Sequence, residues 1–299
     1  MSSQRLVIRR AAVLGSGVMG AQIAAHLANA DVPVILFDLA ARDGDPNGIV
    51  RKAVEGLKRM QPAPLVTRDR LVNIDVGNYD QHLDKLRECD LVIEAISEKI
   101  EWKVDLYHKI APHLSDQAIV ASNTSGISIN QLSEAFPAER RSRFCGVHFF
   151  NPPRYMQLVE LIPAAATDAA MFDALESWLV TRMGKGVVRA KDTPSFVANR
   201  VGLFSILAVM YHTEQFKLGF DEVDALTGPR IGRPKSATYR TADVIGLDTL
   251  AHVTDSQQQT LPNDPWREHF KVPAWLAALI GKGALGQKAG GGVFRKVGR

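Results

Sequence analysis

The segment Gly15-Ser16-Gly17-Val18-Met19-Gly20 constrains the fold of this 299-residue chain more than any other feature. G-x-G-x-x-G patterns are common, but here an apolar run, Ala11 to Leu14, precedes the glycines and a helical run, Val18 to Ala30, follows them. The first glycine permits a tight strand-to-helix turn, the second lets backbone approach a pyrophosphate, and the third lets helix and strand pack closely. A helix opened in this way turns unpaired N–H groups toward the loop, a ready seat for phosphate. A second apolar run, Val34 to Phe37, leads into Asp38, eighteen residues beyond Gly20. A carboxylate there accepts hydrogen bonds from a ribose 2′-hydroxyl and repels a 2′-phosphate. The pattern therefore predicts NAD rather than NADP, with Arg42 as the nearby opposing charge.

Further short apolar runs alternate with helical stretches: Leu91 to Ile96, Ala118 to Ala121, Phe144 to His148 and Gly186 to Val188. This alternation predicts an α/β fold, a Rossmann-type, mostly parallel sheet with helices on both faces. After Lys191-Asp192-Thr193-Pro194 the strand signals fade. Thr193 and Pro194 suit an N-cap and first helical position, and Phe196 to Leu218 reads as one long apolar helix. Two domains are expected, a cofactor-binding sheet domain over residues 1–190 and a smaller all-α domain over 191–299. Ala40 to Asn78 reads as a helical excursion between strands, with a helix at Arg51 to Met60. Gly281 to Gly292, with six glycines, reads as a loop entering a short tail.

Composition narrows the function. With 46% hydrophobic and 23% charged residues the chain is an ordinary globular one, long enough for substantial cores. Its two cysteines, Cys89 and Cys145, form no Cys-x-x-Cys pair, and no histidine cluster has ligand spacing. No metal site is expected, and reduced thiols point to the cytoplasm. The longest apolar candidate for a membrane span, Phe204 to Tyr211, has eight residues against the roughly 20 required. A formal charge of +4 without a basic run of five or six residues argues against nucleic acid and for a phosphate-bearing small molecule.

Phe144 to His148 ends in a histidine and is followed by Phe149-Phe150-Asn151-Pro152-Pro153. A second strand-like run, Gln157 to Ile162, holds one acid, Glu160, between Val159 and Leu161. A hairpin centred on Arg154 would set His148 opposite Glu160. A lone histidine in an apolar strand is more often a satisfied core residue, but a glutamate buried there without a partner would be costly. Paired, the carboxylate fixes the imidazole tautomer, and the ring suits a general base that removes an alcohol proton while hydride leaves the same carbon. Ser122-Asn123-Thr124-Ser125 follows Ala118 to Ala121, at a strand end where such sheets bind ligands; helix capping is the other reading of Ser125. Asn199 is polar within an apolar helical run, which an interhelical hydrogen bond would also explain.

Together, the run Arg10 to Gly20, Ser122 to Ser125, His148-Phe-Phe-Asn-Pro152, Leu158-Val-Glu160 and Asp192 to Asn199 resemble the 3-hydroxyacyl-CoA dehydrogenase family in order and over nearly the whole chain. Within it, Gln61 to Leu65 and Ile231 to Asp248 are similar to the dehydrogenase portion of large bacterial β-oxidation proteins that carry a following enoyl-CoA hydratase domain. The resemblance implies NAD-dependent oxidation of L-3-hydroxyacyl-CoA to 3-ketoacyl-CoA. It assigns His148 as base, Glu160 as its orienting partner, and Ser125 and Asn199 to the thioester substrate. It also implies cofactor contacts from Glu98 of the Glu94-to-Glu98 segment, Lys103, Asn123 and Lys288. The tail departs from the family in Val293 and Phe294, where Phe-Tyr is usual. Arg51, Lys52, Lys58 and Arg59 are candidates for CoA phosphates, or simply a solvated basic face.

Two other classes stay open: a dehydrogenase of free hydroxy acids of the gulonate type, and a non-catalytic cofactor-binding domain of a larger protein. The resemblance implies a homodimer, or else a place in a larger multidomain chain, and the end at Lys296 to Arg299 suggests truncation. No nucleic-acid partner is expected.

Overall fold

A computed structural model describes residues 6–295. The chain forms two compact units that meet in sequence between Phe196 and Val197. The first is built on an eight-stranded sheet: β1 (Ala11–Leu14), β2 (Val34–Asp38), β3 (Ile74–Asn78), β4 (Leu91–Glu94), β5 (Ile119–Ser122), β6 (Phe144–Phe149), β7 (Leu158–Pro163) and β8 (Gly186–Arg189). The spatial order is β3-β2-β1-β4-β5-β6-β7-β8. All neighbours are parallel except β6 and β7. This is the expected α/β architecture, with β3 as an added edge strand inside the stretch read as helical.

Strand residues alternate between two cores, as a sheet buried on both faces requires. Ala11 and Val13 face one core with Ile23, Leu27 and Trp178, from α1 (Val18–Asn29) and α5 (Ala169–Thr181). Ala12 and Leu14 face the other with Tyr107, Ile110 and Leu132, from α3 (Ile100–Ile110) and α4 (Ile129–Ser133). Between β2 and β3 lies α2 (Gly48–Leu57), beginning three residues before the expected Arg51.

The second unit is helical: α6 (Ala198–Phe216), α7 (Phe220–Leu226), α8 (Tyr239–Ile245), α9 (Leu247–Thr260) and α10 (Ala274–Gly281). Its core gathers Leu203, Leu207, Tyr239, Leu247 and Phe270. The long helix does not begin at Pro194 with Thr193 as cap. Ser195 and Phe196 adopt left-handed backbone angles, φ 61° and 48°, which delay the first turn until Ala198. Asp192 serves the first unit instead, accepting from Ser128 Oγ and the Ile129 and Asn130 amides at the start of α4. The glycine-rich tail closes on Asp243, whose carboxylate takes the Val293 and Phe294 amides. Among the described residues no helix is long and apolar enough to cross a membrane.

Candidate active site

The candidate groups of the first unit lie toward the sheet edge at which the parallel strands end, where doubly wound sheets bind ligands; Glu160 reaches that edge from the first half of the antiparallel β7. Gly15 has φ +100°, and a Cβ there would sit 2.8 Å from the Ala95 carbonyl oxygen. A Cβ at Gly20 would overlap the Gly15 carbonyl, so only glycine lets α1 approach β1 this closely. Gly17 differs: a Cβ there would meet nothing within 4 Å, and it is the uncapped N-cap of α1. Open space thus lies over free first-turn N–H groups, with Val18 63% exposed beside them.

Asp38 takes the Ser16 amide at 2.7 Å and the Ser16 hydroxyl at 2.6 Å on Oδ2, and the Leu39 amide at 2.7 Å on Oδ1. Three of about four carboxylate lone-pair sites are filled, and one on Oδ1 is left for a ribose hydroxyl. These residues fit a dinucleotide.

A second cluster ties β4, α3 and β5 together. Glu94, fully buried, accepts from Lys103 Nζ at 2.6 Å and the Ile96 amide at 2.8 Å on Oε1. Its Oε2 accepts from Tyr107 Oη at 2.8 Å and Ser122 Oγ at 2.6 Å. Burial and the Glu94 charge push the Tyr107 phenol well above its ordinary pKa, which keeps it a donor. Lys103 also reaches Glu98 Oε2 at 3.4 Å. Glu98 Oε1 in turn gathers the Thr124 hydroxyl, the Ser125 amide at 2.8 Å and the Gly126 amide at 3.2 Å. Burial opposes ionisation of Glu98, but the Lys103 charge and the Thr124 and Ser125 hydrogen bonds outweigh it and hold the carboxyl below its usual value. Ser125 is exposed at the tip of this loop. Asn123 turns inward, its Oδ1 accepting the Phe149 amide at 2.9 Å. Sequence reasoning missed Tyr107 and Ser122 as partners of Glu94.

The β6–β7 hairpin has the register expected from a centre at Arg154, with His148 opposite Glu160. His148 Nδ1 and Glu160 Oε2 are 2.7 Å apart, with the histidine side chain 7% exposed and the glutamate fully buried. A carboxylate at Nδ1 makes that nitrogen the donor, leaving Nε2 as the basic nitrogen. Among the described residues no hydrogen-bond partner takes Nε2. The ring packs against Phe150, with centroids 4.4 Å apart, and Phe196, 5.9 Å apart.

In the second unit, half-buried Asn199 opens α6, its carbonyl accepting from Gln257 Nε2 at 3.3 Å. Lys288 pairs with Asp248 at 2.6 Å. Of the four basic residues considered for CoA, Arg51 pairs with Asp45 and Lys58 with Glu55, all four partners well exposed. Among the described residues no group of three or more His, Cys, Asp or Glu side chains could hold a metal.

The doubly wound sheet, glycine cradle and strand-end carboxylate define a Rossmann-type dinucleotide-binding protein. Residues 10–193 match the NAD binding domain of 3-hydroxyacyl-CoA dehydrogenase and residues 196–296 its C-terminal domain. The chain belongs to the 3-hydroxyacyl-CoA dehydrogenase family, which is a family of NAD-dependent oxidoreductases. It is 43% identical to a probable 3-hydroxyacyl-CoA dehydrogenase of Deinococcus radiodurans, over 97% of this chain and 83% of that one. It is 41% identical to a protein of the same description from Bacillus subtilis, over 98% of this chain but only 39% of the relative's length. The crystal structure of FadB2 from M. tuberculosis superposes with a TM-score of 0.83 at 30% identity, covering 98% of this chain and all of that one.

Proposed function

We propose that this chain oxidises the 3-hydroxyl of L-3-hydroxyacyl-CoA thioesters to the 3-ketoacyl-CoA, reversibly, with NAD, as a step of fatty acid β-oxidation. The observation that carries this reading is the buried His148–Glu160 pair on the same sheet edge as the glycine cradle. Glu160 holds the Nδ1–H of His148, so Nε2 takes the substrate hydroxyl proton in oxidation and returns it in reduction. Bound NAD supplies the hydride acceptor. Gly15 to Gly20 would seat its pyrophosphate, Asp38 a ribose hydroxyl, and exposed Val18 and Leu39 apolar surface alongside.

Lys103 has no exposed surface, so its part in cofactor binding is to hold Glu94 and Glu98 in place. Glu98 and Asn123 then shape the loop that presents Ser125. Ser125 and Asn199 are assigned to the thioester, and Lys288 to the cofactor, on the resemblance of their motifs. The chain would act as a homodimer or as one segment of a longer polypeptide, a reading the short share of the Bacillus relative supports. Two buried free thiols suit the reducing cytoplasm.

His148→Ala tests the assignment. Turnover of acetoacetyl-CoA with NADH should fall by about 10² to 10⁴ while NADH affinity holds. Retained turnover removes His148 from the mechanism.

A further inference from the structure

The residues joining β6 to β7 are held by a buried cation that proton transfer does not use. Lys185 lies between α5 and β8, where Gly184, at φ +65°, lets the chain reverse, and it is 5% exposed. Its Nζ donates to the Pro153 carbonyl and, at 2.9 Å, to the Met156 carbonyl. Both acceptors belong to the segment 150–157. Among the described residues no carboxylate forms an ion pair with it. Burial pulls its pKa down to about 8, as expected for an ammonium neutralised only by backbone dipoles.

The same segment is tied at two further points. Gln22 Nε2 of α1 donates to Asn151 Oδ1 at 3.0 Å, and Arg154 donates to the Ala63 and Leu65 carbonyls at 2.8 Å. His26 of α1, bonded through Nε2 to the Met183 carbonyl, faces both Lys185 and Arg154 and is held neutral, first by burial and then by their charges. Burying a lysine against two carbonyls costs desolvation, so the contact has to fix something that the turn's own hydrogen bonds do not. What it fixes lies at the two ends of that segment. Phe150 packs on the His148 ring, and Gln157, whose carbonyl takes the Gly186 amide at 2.9 Å, leads directly into the strand carrying Glu160.

We infer that Lys185 is a positioning residue for hydride transfer: its ammonium locks the 150–157 turn and thereby the aim of the His148–Glu160 pair. The inference rests on the dehydrogenase reading above. A misplacement of the base by about 1 Å costs up to roughly 100-fold in rate, so Lys185→Met should lower kcat roughly 10- to 100-fold. NADH affinity should stay unchanged, and amide deuterium uptake of the 150–157 peptide should rise. Lys185→Arg, which keeps charge and donors, should restore both kcat and protection.

A folded Lys185→Met protein with undiminished kcat and unchanged uptake overturns the inference, as does a parallel loss of NADH affinity. If Lys185→Met does not fold, the alkaline limb of kcat decides. It should lie near pH 8 in the unaltered chain and move up by a unit or more in Lys185→Arg; coincident limbs overturn the inference. An unaltered chain without turnover refutes the dehydrogenase reading instead, while deuterium uptake still tests the lock.

Discussion

Replacing Glu94 by glutamine exchanges one oxygen of a fully buried carboxylate for an NH2 group, and the surroundings dictate the outcome. On one side stand Lys103 Nζ and the Ile96 amide, which can only donate; on the other stand two hydroxyls, Tyr107 and Ser122, which can rotate to accept. The amide must therefore turn its oxygen to Lys103 and its nitrogen to the hydroxyls. The buried ammonium then keeps two neutral acceptors, the new amide oxygen and the Ile96 carbonyl at 3.4 Å, together with a Glu98 oxygen at 3.4 Å. Removing one partner of a buried ion pair costs about 3–5 kcal/mol, and Glu98 compensates for part of it. The net loss should be about 2–4 kcal/mol, read as a lower urea midpoint at unchanged slope. Because the network also holds Glu98 and the 124–126 loop, NADH affinity measured by fluorescence should fall as well. A midpoint shift worth less than about 1 kcal/mol would mean that the four contacts are not energetically coupled.

Two further outcomes follow from the same geometry. Glu160→Gln keeps an acceptor for His148 Nδ1 but loses the charge, a change of about 1–2 kcal/mol, so kcat should drop about 5- to 30-fold; an unaltered kcat would deny the carboxylate its role. His26 has its pKa lowered from 6.5 to about 4, chiefly by burial, so below pH 6.5 the unfolded chain binds a proton that the folded chain refuses. Stability should decline as pH falls from 6.5 toward 4, by about 1–3 kcal/mol, and His26→Gln should flatten that decline; equal acid sensitivity in the two proteins would refute the assignment.

What the sequence made legible was whatever its own periodicity encodes. The glycine loop and the His148–Glu160 register were readable because a hairpin maps position onto partner by counting. β3 was missed because Ile74-Asp-Val-Gly-Asn78 has few apolar side chains and is defined by pairing with β2, not by its own pattern. The start of α6 was misplaced because nothing in Ser195 or Phe196 announces a left-handed backbone. The Glu94 network escaped because its hydroxyl partners come from α3 and β5, joined only once the sheet has formed. Lys185 escaped for the same reason: a lysine after a helix reads as solvated until its carbonyl partners are in view.

The most direct measurement of the central claim is steady-state NADH oxidation with acetoacetyl-CoA beside free acetoacetate and other unesterified keto acids. Rapid turnover of the thioester with little of the acids is the expected result. Turnover of free acids alone would assign the chain to hydroxy acids, and tight NADH binding without any turnover would leave it a cofactor-binding domain.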